Sequence, residues 1–121
     1  MAKVNFLTLA RHAARIASDK KSDDVVILNV RRLTPIADYF VIATVHSTPQ
    51  MNAVINSIEQ ECKKGDAPRP IHRDGRGSAS WAVLDYGGLI VHIMSPEARR
   101  FYSLEKIWAE ARKVAPKVPL T

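Results

Sequence analysis

Four histidines, one cysteine and a set of scattered carboxylates are the side chains that could carry covalent or metal chemistry in this chain. The histidines are His12, His46, His72 and His92; no two have the spacing that puts a pair of imidazoles on one face, and neither CxxC nor HExxH occurs. No metal site is expected. Ser47, His92 and Asp85 are the residue types of a hydrolytic triad, but no GxSxG turn supports them, and chance composition explains them better. Cys62 falls on the apolar stripe of a helical pattern, where a thiol is core filling rather than a nucleophile. Group transfer is conceivable at VHST, residues 45–48, which passes from a strand pattern into a helix whose free N–H groups could cradle a phosphate. Two-metal transfer would also need carboxylates on alternate strand residues, pointing to one face. Asp23 and Asp24 are adjacent and point to opposite faces of a strand, and the Glu59/Glu61 pair sits in a helix. With no GxxxxGK and no GxGxxG after a strand, no nucleotide cofactor is expected. A nucleotidyltransferase-like, nucleotide-binding enzyme is the second reading, behind binding.

The chain that must position these residues has 121 of them, enough for one domain that buries roughly two thirds of its unfolded surface. It is 46% apolar and 25% charged, as ordinary globular proteins are, with no repeat and no low-complexity tract. The net charge of +6 suits either encounter with polyanions or simple solubility. One cysteine makes no internal disulfide, no secretory leader pattern opens the chain, and no apolar run reaches the ~18 residues of a membrane span. A cytoplasmic address is expected.

Apolar residues Phe6, Leu9, Ala10, Ala13, Ile16 and Ala17 recur at helical spacing after Asn5, a capping type, and predict a first helix to about Ser18. DVVILNV, residues 24–30, and YFVIATV, residues 39–45, are continuous β-branched runs of the kind covered on both faces. Their link, RRLTPIAD, is shorter than the dozen or so residues that a parallel return needs, so the two strands should be antiparallel. Thr48 as cap, Pro49 at the first helical position and Gly65 past the end bracket a second helix with Met51, Val54, Ile55, Ile58 and Cys62 inward. Residues 66–78 form a Pro/Gly-rich connection that is the segment expected to move, with one short extended piece near Pro70 to His72.

Gly87-Gly88 then joins SWAVLDY and LIVHIM in a tight hairpin. That register puts Ala82, Leu84, Tyr86, Leu89, Val91 and Ile93 on one, wholly apolar face. The other face carries Trp81, Val83, Asp85, Ile90, His92 and Met94: an apolar centre with two polar elements, which is either a protein interface or core beneath helices. Ser95, Pro96 and Glu97 start a short helical turn, and a further helix near Ser103 turns Leu104, Ile107, Trp108 and Ala111 inward. The basic residues Arg31, Arg32, Arg69, Arg73, Arg76, Arg99 and Arg100 are spread without an aromatic stacking motif, so a direct RNA binder is a third reading. An open sheet edge also permits a homodimer of the isolated protein.

The ordered set IADYFVIAT, WAVLDYG, IVHIM, PEARRFY and LEKIW resembles the Iojap family, the ribosomal silencing factors, from the first helix to about Arg112. The resemblance implies a single mixed α/β domain over residues 1–121, its core about 5–112 and its tail 113–121 frayed, with a mixed sheet flanked by helices in a nucleotidyltransferase-like fold. It implies a non-enzyme without cofactors, in keeping with the missing carboxylates. The implied function is translation repression under nutrient limitation: binding to the large ribosomal subunit through ribosomal protein fourteen blocks joining of the small subunit, with peripheral ribosomal RNA contact. Residue by residue, the motif match brings over Trp81, Asp85, Tyr86, His92, Met94, Glu97, Glu105 and Lys106 as partner-binding positions, together with Arg99, Tyr102 and Trp108. Of these, Trp81, Asp85, His92, Glu105 and Lys106 are favoured for contact, and Tyr102 and Trp108 for core or rim. The chain departs from many relatives in having Val45-His46 where they place a glycine, Gly88 where they place an aspartate, and Ser95 where they place a histidine.

Overall fold

A computed structural model of the chain describes residues 5–64, 72–74 and 80–115. Its elements are α1 (Phe6–Asp19), β1 (Asp23–Asn29), β2 (Tyr39–Thr44), α2 (Thr48–Lys64), β3 (His72–Asp74), β4 (Trp81–Asp85), β5 (Leu89–Met94), α3 (Pro96–Tyr102), α4 (Leu104–Ile107) and β6 (Arg112–Val114). The strands form a six-stranded sheet in the order β3-β4-β5-β2-β1-β6. β2 and β5 pair in parallel at its centre and every other pair is antiparallel, so the sheet is mixed, as expected. Every residue of β2 and of β5 is buried, the signature of strands covered on both faces.

α1 and α2 lie on the first face. Their stripes, Leu9, Ala10, Ala13, Ala14 and Ala17 from α1 and Met51, Val54, Ile55, Ile58 and Cys62 from α2, close over Ile27, Tyr39, Val41, Ala43, Leu84, Val91 and Ile93. The run of alanines in α1 lets the helix approach the sheet closely. On the second face Leu28, Val30, Phe40, Ile42, Ile90 and Met94 meet Ala98 of α3, with Leu104 and Trp108 packed against them. Cys62 is buried, and desolvation pushes its thiol pKa up despite a hydrogen bond with Tyr86, which suits its role as core filling.

Local chemistry sets the element ends. The Asn5 side chain accepts the Thr8 N–H, capping α1. Lys21, at φ 70°, closes α1 with its own N–H on the Ser18 carbonyl and the Ser22 N–H on the Ala17 carbonyl, the Schellman pattern carried by a non-glycine residue. α2 is capped one residue earlier than the sequence indicates: Ser47 Oγ, not Thr48, accepts the Gln50 N–H, so Thr48 is already helical and Pro49 follows it. At the other end of the chain, residues 112–114 are strand rather than the start of a tail. β6 pairs with β1, Asn29 opposite Arg112, and Arg11 Nε donates to the Ala115 carbonyl. The short strand β3 overlaps the expected extended piece at His72, while the rest of the 66–78 connection, apart from His72–Asp74, and residues 116–121 lie outside the described residues.

The hairpin has the register written from its two-residue turn, with Trp81 opposite Met94, Val83 opposite His92 and Asp85 opposite Ile90. Its two glycines have different causes. Gly87 takes φ 90°, and its N–H is held by Asp85 Oδ1 at 2.8 Å. Gly88 is needed for space: a Cβ there would run into the ring of Phe6, and its carbonyl receives the N–H groups of both Asp38 and Tyr39 at the start of β2. Gly88→Ala is therefore expected to cost about 1–3 kcal/mol of unfolding free energy by overpacking, and Gly87→Ala about 1–2 kcal/mol by backbone strain. Pairing Gly88→Ala with Phe6→Ala, followed by urea unfolding, should recover part of the first loss and none of the second.

Candidate functional site

The mixed hairpin face is half covered. α3 and α4 close over its β5 side, so that Ile90, His92 and Met94 are buried, while Trp81, Val83 and Asp85 on β4 are only half-buried. From that open edge a chain of rings runs inward. Phe101, 81% exposed, lies edge-on to Tyr102 with centroids 5.0 Å apart, and Tyr102 packs at 4.5 Å on Trp81. Trp81 leans on His92, and His92 and Trp108 both meet the Phe40 ring edge-on at 5.2 Å. Contacts of this geometry add about 0.5–1.5 kcal/mol each beyond their buried area, which fixes the outer rings on the inner ones.

One hydrogen bond sets the polarity of this chain. Trp81 Nε1–H donates to His92 Nδ1 at 3.2 Å, so the neutral imidazole carries its proton on Nε2. Nε2 is buried and meets no partner among the described residues. Burial lowers the His92 pKa to about 4, with Asp85 a weaker opposing influence. His92 is thus a neutral positioning group that orients the Trp81 indole, and Trp81 has only its ring left to offer a partner.

A second network holds α3 and α4 to the sheet. Arg99, its side chain 11% exposed, donates from Nε to Glu105 Oε1 and from its terminal NH1 to Thr44 Oγ1, both at 2.8 Å. The same pairing holds the Glu105 carboxyl below its ordinary pKa. Ser95 caps α3 by accepting the Ala98 N–H, as its sequence position indicates, and Ser103 at φ 49° turns the chain into α4. That turn overrides the expected stripe: Leu104, Trp108 and Ala111 pack inward, but α4 unwinds after Ile107 and leaves that side chain 67% exposed.

The motif positions therefore separate. Trp81, Asp85, Glu97, Glu105 and Lys106 reach the surface to differing degrees, although Asp85 is tied to the hairpin turn and Glu105 to Arg99. Tyr86 and Met94 lie beneath the surface: both are buried, Tyr86 under α1 and α2 and Met94 in the second core. Tyr102, expected in core or rim, is 47% exposed and stands over Trp81. Phe101 was missed, although α3 is too short to bury more than Ala98, and a second aromatic beside Tyr102 had to fall outside.

At the possible phosphate cradle the helix start is already in use. The His46 N–H donates to Gln50 Oε1, the Gln50 N–H to Ser47 Oγ, and Pro49 has no N–H to offer. The His46 ring bonds Asp23 at 2.6 Å. No three of the described His, Cys, Asp and Glu side chains converge as metal ligands would. Beside His46 a groove of about 730 Å³ opens toward Ser95, Glu97, Phe101 and Tyr102, continuing the aromatic surface.

Comparison with known proteins decides what this surface belongs to. The family described as "Ribosomal silencing factor during starvation" matches residues 3–121. The chain belongs to the ribosomal silencing factor family. A ribosomal silencing factor of Haemophilus influenzae is 39% identical over 89 residues, 74% of this chain and 86% of the relative. The chloroplastic protein Iojap of Arabidopsis thaliana is 32% identical over 108 residues, 89% of this chain and 44% of that longer protein. A crystal structure of a Chromobacterium violaceum protein superposes with TM-score 0.82 at 26% identity, covering 96% of this chain and 95% of the other. Ribosomal silencing factors are regulatory proteins of translation, and this places the chain among ribosome-associated regulators. No helix among the described residues is long and apolar enough to cross a membrane.

The buried imidazole makes stability depend on pH. Below its ordinary pKa of 6.5 the unfolded chain protonates His92 while the folded chain resists down to about 4, so stability is complete above pH 6.5 and falls as pH drops through that window. Between pH 7 and 5 the loss attributable to His92 is expected to be about 2 kcal/mol. Urea titrations of wild type and His92→Asn across that range measure it, and equal slopes for the two proteins would remove His92 as the source.

Proposed function

We propose that this protein represses translation by binding the large ribosomal subunit through ribosomal protein fourteen and blocking the small subunit from joining, under nutrient limitation, in the cytoplasm. The observation that carries the reading is the surface of Trp81, Tyr102 and Phe101, an aromatic patch fixed from beneath, with the charged Glu97 in the groove beside Phe101 and Tyr102. Rigid aromatic anchors with a polar rim are the usual composition of a protein-binding hot spot. Repression by occupancy requires no chemistry, which agrees with the helix start at Ser47 being capped by its own side chains. The positive net charge speeds approach to an RNA-rich particle, with ribosomal RNA met at the periphery of the docked protein.

Co-sedimentation with purified large subunits tests the docking face. Trp81→Ala and Phe101→Ala, each shown folded by circular dichroism, are expected to lower affinity about tenfold or more, the scale of a truncated hot-spot aromatic. Undiminished binding by both variants would move the site elsewhere. In a light-scattering assay of subunit joining, bound protein should reduce the 70S signal in proportion to occupancy, and normal joining by saturated subunits would refute the steric block. Calorimetry with magnesium and a nucleoside triphosphate at millimolar concentration should show no binding heat.

A further inference from the structure

Far from the aromatic groove, at the opposite end of the central strands, the turn from β1 to β2 and the strand β6 enclose a cleft of about 590 Å³. Asn29, Arg31, Arg32, Asp38, Glu110 and Arg112 line it, with Leu33 at its edge. The turn is held by its own hydrogen bonds. The Val30 N–H reaches the Asp38 carbonyl, the Leu33 and Thr34 N–H groups reach the Val30 carbonyl, and the Arg31 N–H reaches Asn29 Oδ1. Arg112 is brought to the same place by its pairing opposite Asn29. All three arginines are exposed, and none of them forms an ion pair with a described carboxylate, even though Asp38 and Glu110 stand in the same cleft.

We propose that this cleft is a second binding surface, for the sugar-phosphate backbone of RNA. The planar guanidinium fork matches two phosphate oxygens, and a hydrogen-bonded turn and a paired strand bring three such forks to one cleft. Asp38 and Glu110 supply acceptors beside the cations. On a chain of net charge +6, exposed arginines match a polyanion of regularly spaced phosphates, and each ribose adds a 2′-hydroxyl donor next to its phosphate. The inference deepens the ribosome reading by giving the peripheral RNA contact a place, and it rests on that reading only for which RNA is met. Because the cleft and the aromatic patch sit at different parts of the sheet, one docked molecule can use both.

Fluorescence anisotropy with a labelled 20-nucleotide single-stranded RNA tests the cleft on the full chain, without ribosomes. The triple variant Arg31→Ala/Arg32→Ala/Arg112→Ala is compared with a control of equal charge change on the α1 corner, Arg15→Ala/Lys20→Ala/Lys21→Ala, both checked by circular dichroism. The cleft variant is expected to bind RNA about tenfold or more weaker at 50 mM salt, with the slope of log affinity against log salt reduced by about 2, the value for three lost phosphate contacts on a single strand. The control should stay within about twofold of wild type. Equal losses in both variants would reduce the effect to net charge and overturn the site, as would no loss in the cleft variant. Competition by a polyglutamate peptide as effective as unlabelled RNA would assign the cleft to acidic protein instead, and competition by inorganic phosphate at the same phosphate concentration would reduce it to a free-anion site. RNA binding that survives in Trp81→Ala while large-subunit binding fails in wild type would sink the docking reading and leave this one standing.

Discussion

The parallel pairing of β2 with β5 is the constraint on which the rest of the structure depends. Residues 39–44 run beside residues 89–94 in the same direction, and both strands are buried along their whole length. Parallel neighbours cannot be joined by a turn, so the chain has to leave the sheet, cross it as α2 and return through β3 and β4 before β5 can be laid down. The same pairing brings the ends of β2 and β5 together, where the Val45 N–H bonds the Met94 carbonyl. α2 and α3 then depart from adjacent points. The groove between His46 and Phe101 is a consequence of that geometry.

The two sheet faces are finished differently, and function follows the difference. Two long helices seal the first face with small and branched side chains. The second face is covered by α3 and α4, of 7 and 4 residues, too short to bury much by themselves. They stay in place through a few specific contacts: Arg99 to Thr44 and Glu105, and the ring stack from Phe40 outward. A surface supported in this way is rigid at its base and apolar at its rim, which suits recognition better than catalysis. The buried Nε2 of His92 is the cost of orienting Trp81 from within, since a fully apolar residue there would leave the indole N–H unpartnered instead.

Charge is distributed with similar economy. Arg99, mostly buried, is spent on structure, while Arg31, Arg32 and Arg112 at the far end of the sheet form no ion pair with a described carboxylate. Sequence spacing cannot reveal that grouping, because Arg112 joins the other two only through the pairing of β6 with β1.

Local physical chemistry made much of this protein legible in advance. Strand runs, helix stripes, the Ser95 cap and the hairpin register all depend on residues within a few positions of one another, where periodicity and turn geometry act directly. The motif order likewise pointed to the family without any coordinates. What stayed hidden depends on long-range packing. Tyr86 and Met94 occur in the same motif run as Trp81, yet only the closure of helices over both faces decides that they are core and Trp81 is surface. Ile107 follows a helical stripe that ends too soon to be obeyed, and β6 is a strand because β1 offers it an open edge. Sequence by itself determined the central strands, the two long helices and which face of the hairpin is mixed; tertiary structure alone decided the edge strand β6 and how much of that face is left uncovered, because exposure is set by how far a short helix reaches across a sheet.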